Sequence, residues 1–327
     1  MGVRAGLAVR IGIALGLPIS TALLTGTAHA EPFAYITNQG SHDVSVIDLA
    51  RDSVIATIPV GRSPAGVVAA SRAGKVFVTN ADSKTISVID MRTQAVVATL
   101  PAGSGPVGID ASVDGRSVYA ADWYANQVLV FDAATLTSTG AIAVGHAPAG
   151  IAVSADGKTV FVAERDDDTV AIIDAASRRI RSRVKVGSHP FALMLDGQRE
   201  RLFALNVQSD DISIIDTRSL GVIATVRVGK APYGAALTAD GAQVYVTNQH
   251  ADSVSVLDAA SLSVLRTQSG FGYPEGIAAH GDKVYVVNWM DDALSVLDAA
   301  SGRELKRIAT GKNSRGFGAF IGMPETR

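Results

Sequence analysis

Glu275 and Arg315 are the residues on which acid–base chemistry could be built. Glu275 would serve as a general base, with Arg315 or His189 polarising the bond under attack. A base must reach its proton within hydrogen-bond distance, and spacing alone does not establish that reach. Four imidazoles, His42, His146, His189 and His250, are of the type that favours Zn or Cu. They are far apart and lack a short spacing such as H-x-x-x-H, so they are weak ligand candidates and no metal is expected. Asp166-Asp167-Asp168 offers oxygens suited to Ca²⁺, but a lone acidic run is ordinarily solvated surface. Cysteine is absent. That removes thiol chemistry, disulfides and the C-x-x-C-H attachment of covalent c-type haem, and no cofactor is expected. No G-x-S-x-G elbow occurs. The catalytic residues are therefore unknown from sequence, with Glu275, His189 and Arg315 as candidates.

A repeat must position these side chains. A V-x-V-[IL]-D ending recurs at Asp48, Asp90, Asp132, Asp174, Asp216, Asp258 and Asp298, at intervals of 42 residues and a last one of 40. Pro64, Pro106, Pro148, Pro190, Pro232 and Pro274 stand 42 apart, and Gly316 follows at the same interval. A period near 40–45 residues, rich in strand signals, points to propeller blades. Within the unit Ala231–Ser269 four strands are expected: a, Tyr233–Leu237; b, Gln243–Thr247; c, Ser253–Leu257; d, Ser263–Thr267. Asp240-Gly241 predicts a type I′ hairpin between a and b, because Gly accepts positive φ cheaply. The repeated Asp and Asn read as turn residues that accept backbone N–H groups. Nearly continuous small and β-branched strands such as VAIID suit blades buried on both faces.

The tetrapeptide Tyr245-Val246-Thr247-Asn248 names the repeats that this chain resembles, those of the YVTN-family β-propellers. Variants stand at Tyr35–Asn38, Phe77–Asn80 and Tyr285–Asn288. Over residues 33–321 the chain resembles an exported, YncE-like bacterial propeller. The expected fold is all-β: one seven-bladed β-propeller of four-stranded antiparallel blades. Strands b, c and d of the first blade begin at Phe33, and its strand a is expected at Arg315–Ile321, so that the carboxyl end closes the ring. For function the resemblance implies a binding module, a lactonase-like hydrolase or a cofactor-bearing domain, since one fold hosts many activities.

Residues 1–30 read as a secretory signal peptide: Arg4 and Arg10, an apolar run from Ile11 to Leu24 broken by Pro18, then Ala28-His29-Ala30. Cleavage is expected after Ala30, leaving 31–327 as a single domain that is periplasmic or secreted. Taking the leader's two arginines from 29 Lys and Arg leaves 27 against 31 Asp and Glu. This acidic balance argues against a general polyanion binder and so against nucleic acid. No other stretch is apolar for the ~18 residues of a membrane span. The expected state is a monomer.

Sorting residues by loop separates two faces. The d–a and b–c loops share one face and collect His42, His146, His189 and His250, with Trp123, Tyr124, Trp289, Arg62, Arg165, Lys230, Tyr273 and Arg315. The opposite face offers mainly Asp, Gly, Ala and Ser. After the marker prolines stand Ala65, Val107 and Ala149 on one side of the ring, and Phe191, Tyr233, Glu275 and Phe317 on the other. The expectation is an asymmetric pocket at the channel mouth, biased towards blades five, six, seven and one. It would hold a small ligand or a periplasmic partner protein through Trp123, Tyr124, Arg165, His146, His189, Phe191, Tyr233, His250, Tyr273, Glu275, Trp289 and Arg315. Alternatives are a lactonase-like hydrolase with Glu275 as base, and an accessory to a periplasmic redox or cofactor system.

Overall fold

The computed structural model describes residues 32–324, with 1–3 and 6. The expected leader and its cleavage site fall almost wholly outside the described residues. The described residues form seven four-stranded antiparallel sheets. In the sixth, the strands are Pro232–Leu237, Gln243–Asn248, Ser253–Asp258 and Val264–Ser269. Strands b and c are buried almost throughout because each blade packs on a neighbour at both faces. Tyr35, Val46, Tyr285, Val296 and Phe320, for example, share one core between blades seven and one. Strand d forms the outer edge, where Val54, Ile55, Val222 and Ile223 are exposed.

The carboxyl end closes the ring, though not as one continuous strand. Only Ile321–Gly322 pairs as a strand with Phe33–Asn38, aided by a bridge from Ser314 to Asn38. Phe317, expected beside the strand that contains Ile36, instead forms a parallel bridge with Gly66 of blade two. Its carbonyl accepts the Val67 N–H at 2.8 Å. The cause is a bulge common to strand a. Between Pro148 and Ile151, and between Pro274 and Ile277, the register also slips. The slip turns backbone groups from the blade's own strand b towards the adjacent blade.

Two turn expectations change. Gly241 (φ +70°) alone takes positive φ in the sixth a–b hairpin, and its N–H donates to Thr238 O at 2.8 Å. That is a type I turn inside the four-residue loop Ala239–Ala242, not a type I′ turn. The repeated Asp does act as a turn acceptor: Asp258 Oδ1 takes N–H bonds from Ala260 (3.1 Å) and Ser261 (2.7 Å). The repeated Asn is instead buried at the end of strand b. Asn248 Nδ2 donates to Ser253 Oγ (3.1 Å) and Ser255 Oγ (2.9 Å), and its Oδ1 accepts Gly229 N–H at 3.1 Å. It is a buried tie between strands b, c and the incoming d–a loop. Where this Asn becomes Asp122 or Glu164, the serine seven residues on becomes Leu129 or Ala171. The carboxylates turn to other donors: Ser104 and Gly105 N–H for Asp122, Gly145 N–H and Arg183 for Glu164.

Neighbouring strands a approach backbone to backbone round the axis. A Cβ on Gly108 would lie 2.0 Å from the Ala149 carbonyl oxygen, a main-chain atom that cannot swing aside. Gly108→Val is therefore expected to cost about 3 kcal/mol, the upper range for forced overpacking. Urea unfolding of the two proteins would measure it; an unchanged midpoint would show that the channel wall is softer than this packing implies.

Candidate functional site

The d–a and b–c loops do share a face, and their side chains form a basin over the channel mouth. One cavity of about 760 Å³ has Trp123, Arg165, His189, Phe191, Lys230 and Tyr233 among its walls. A second, of about 530 Å³, lies against Tyr273, Glu275, Trp289 and Arg315. A third, of about 280 Å³, is bounded by small residues, Trp123, Tyr124 and Arg315. Phe191 borders all three. Its ring centroid lies 4.6 Å from Tyr233, 5.0 Å from Phe317 and 6.2 Å from Trp123, within the span of favourable aromatic pairs. The Arg165 guanidinium sits 5.4 Å over Trp123.

The floor is polar, buried and fully occupied. Glu275 is 2% exposed. Arg315 Nε donates to its Oε2 at 2.7 Å, Gln249 Nε2 to its Oε1 at 2.8 Å, and Arg315 Nη2 to Tyr233 Oη at 2.5 Å. Burial pushes the Glu275 carboxyl up, and the Arg315 charge pulls against it. Burial also raises the Tyr233 hydroxyl. Burial would lower Arg315, but Glu275 and Tyr233 more than offset this and hold it above its ordinary value. Glu275 is thus placed as a counter-ion, with both oxygens committed.

The histidines do not converge. Among the described residues no group of three or more His, Cys, Asp or Glu side chains is placed to hold a metal ion. His42 Nδ1 accepts the Ser63 N–H at 3.2 Å. Asp168, Asp210 and Asp252 do the same for His189, Ala231 and Tyr273, each in the loop entering the next blade, so His42 occupies a structural acceptor position. His146 lies outside the three cavities, bonded through Nδ1 to Asp167 at 2.8 Å, and that bond raises its pKa. His250 Nε2 meets Tyr273 Oη at 3.1 Å. The acidic run is dispersed as well: Asp166 pairs with Arg165, Asp167 with His146 and Asp168 with Lys185.

Several basin residues escaped sequence reasoning: Gln39, Asp82, Gln208, Asp210, Gln249 and Met290. A signal existed for part of this set. The residue after the buried tie that ends each strand b is Gln39, Ala81, Trp123, Arg165, Val207, Gln249 or Trp289. All seven line the basin. Reading that one register position round the ring would have found Gln39 and Gln249 beside the two tryptophans.

Fold and basin together define a seven-bladed β-propeller with one chemically furnished face. The chain belongs to the YNCE-like beta-propeller family, whose model matches residues 69–156 and 154–281. No curated protein matches it. Among solved structures it is similar to a functionally unknown protein from Desulfotomaculum acetoxidans DSM 771, with TM-score 0.76, 17% identity, and 90% and 99% of the two chains covered. It is also similar to Kuenenia stuttgartiensis hydrazine synthase, with TM-score 0.71, 19% identity, and 87% and 99% covered. A third similar structure is dihydro-heme d1 dehydrogenase NirN in complex with DHE, with TM-score 0.66, 18% identity, and 87% and 74% covered. At these identities the likeness is one of fold. No helix among the described residues is long and apolar enough to cross a membrane.

Proposed function

We propose that the protein is an exported, non-catalytic binding module that holds a small ligand or a segment of a partner protein in this basin. The observation that carries the reading is the seven-fold register position, bare at Ala81 and Val207 but bearing Trp123, Arg165 and Trp289 elsewhere, set round the aromatic cluster on Phe191. Concave apolar sites with a few fixed polar groups are the usual form of ligand pockets. The hydrolase alternative would have Glu275 remove a proton, yet its oxygens are bonded to Arg315 and Gln249. Replacing both Trp123 and Trp289 by Ala is expected to weaken capture of the native ligand about a hundredfold or more, as for paired aromatic hot spots. Native purification with mass spectrometry of the co-purifying species reads this out; undiminished capture by a correctly folded double variant would remove the binding reading. Export is tested by the mature amino terminus, expected at Glu31.

A second reading is an accessory to an exported redox system, with the basin holding a flat cofactor without covalent attachment. The tilted aromatic cluster of Trp123, Phe191 and Tyr233 gives the basin an apolar wall against which such a body would rest. Two proteins of similar fold are named as a synthase and a haem-related dehydrogenase. An absorption band in protein purified from its own cells would support this reading, and a spectrum of tyrosine and tryptophan alone would end it.

A further inference from the structure

We infer that the basin selects small aromatic acids, seating a negatively charged group against Lys230 and Arg165 and a flat body on Phe191 and Tyr233. This rests on the basin being the binding site. The first cavity draws its permanent charges from Arg165, Lys230 and Asp210. Asp210 Oδ1 accepts the Ala231 N–H at 2.9 Å, which turns the carboxylate towards the loop without removing its charge. Lys230 is exposed and makes no ion pair among the described residues. Arg165 bonds Asp166 at one nitrogen (2.5 Å) while its plane lies over Trp123; a guanidinium has further donors to offer. His189 and His250 stand on the same wall. The second cavity differs: its one guanidinium, Arg315, is neutralised by Glu275 at 2.7 Å, and Gln39, Gln249 and Tyr273 supply neutral groups. An anion therefore gains from the first cavity and little from the second. The protein as a whole is acidic, with 29 Lys and Arg against 31 Asp and Glu, so Lys230, which makes no ion pair among the described residues, is a local cation at the site. Charge-assisted hydrogen bonds are about twice as strong as neutral ones, and the aromatic surface of Phe191 and Tyr233 above the polar floor rewards a ring that stacks.

Three probes of one shape test this: 2-naphthoate, 2-naphthamide and 2-naphthylmethylammonium. With Trp289→Phe in place, Trp123 is the only tryptophan left and its fluorescence reports binding near Phe191. Naphthoate is expected to bind about tenfold more tightly than the amide, and the ammonium more weakly than either. The double change Arg165→Gln and Lys230→Gln is expected to weaken naphthoate much more than the amide, so that the preference for naphthoate is lost. If the ammonium binds as well as naphthoate, the charge selection is wrong although the basin still binds. If no probe quenches Trp123 and calorimetry on the unsubstituted protein is also silent, the selection for aromatic acids is wrong, whereas the basin reading itself falls only if the Trp123 and Trp289 double variant captures the native ligand undiminished. If the double variant keeps its preference for naphthoate, the assignment to Arg165 and Lys230 is overturned.

Discussion

A chain ended at Asn313 is expected not to fold cooperatively, and to aggregate where the full chain is soluble. Among the hydrogen bonds the deletion removes are six from the backbone of the carboxyl segment to residues of blades one, two and seven. Arg315 N–H donates to Thr37 O, and Gly316 N–H to Thr37 Oγ1. Carbonyls of Arg315, Phe317, Ala319 and Phe320 accept from Gly276, Val67, Ala69 and Tyr35. At ~1 kcal/mol each these alone approach the lower end of a domain's total stability, about 5–15 kcal/mol. Phe320, wholly buried against Tyr35 and Tyr285, and Phe317 are lost with them; large core aromatics cost about 3–5 kcal/mol each on truncation. Strand Phe33–Asn38 would become an open edge able to pair with another chain. Light scattering and thermal melting of the truncated chain check this. A soluble truncate with the full-length melting profile would show that the ring does not need its clasp.

The ring, the number of blades and the closure from the carboxyl end were legible because period and strand content are carried by every unit. The detail of closure was not. A bulge leaves no mark in apolar pattern, so the repeat sets Phe317 against blade one although it bonds blade two. Asp and Asn shared a turn assignment because both accept backbone N–H groups. The structure separates them: Asp258 stays at a turn while Asn248 is buried as a tie. The pairing of Asn with a serine seven residues later was in the sequence, together with its joint loss at Asp122/Leu129 and Glu164/Ala171. The tryptophans and Phe191 were found by register, since loop identity fixes the face. His146 was found by face alone, and face does not fix radius; Asp167 holds it away from the cavities. His42 would have been recognised as structural by comparing equivalent positions, because 42 residues apart from Asn126 stand Asp168, Asp210 and Asp252, each an acceptor for the loop below.

Arg315→Met is expected to destabilise the protein by about 3–5 kcal/mol at pH 7.5, because it leaves the Glu275 carboxylate buried without its counter-ion. For a domain of this size the melting midpoint would fall roughly 6–15 °C. The pH dependence distinguishes this cause from lost packing. Burial already sets the folded pKa of Glu275 above its ordinary 4.5, with Arg315 opposing; removing Arg315 lets burial act unopposed. A carboxyl raised in the folded state favours folding fully below its unfolded pKa, and that contribution is lost as pH rises through the folded value. The deficit of Arg315→Met should therefore shrink from pH 7.5 towards pH 5, as Glu275 takes a proton and ceases to be an uncompensated charge. Adding Glu275→Leu should recover most of the loss at pH 7.5 and abolish the pH dependence, since a buried pair replaced by apolar groups is often neutral. An equal deficit at both pH values would mean that Arg315 acts through its contacts with Tyr233 and the closing segment rather than through charge. In that case the polar floor of the basin would be part of the ring's clasp first and an electrostatic device second.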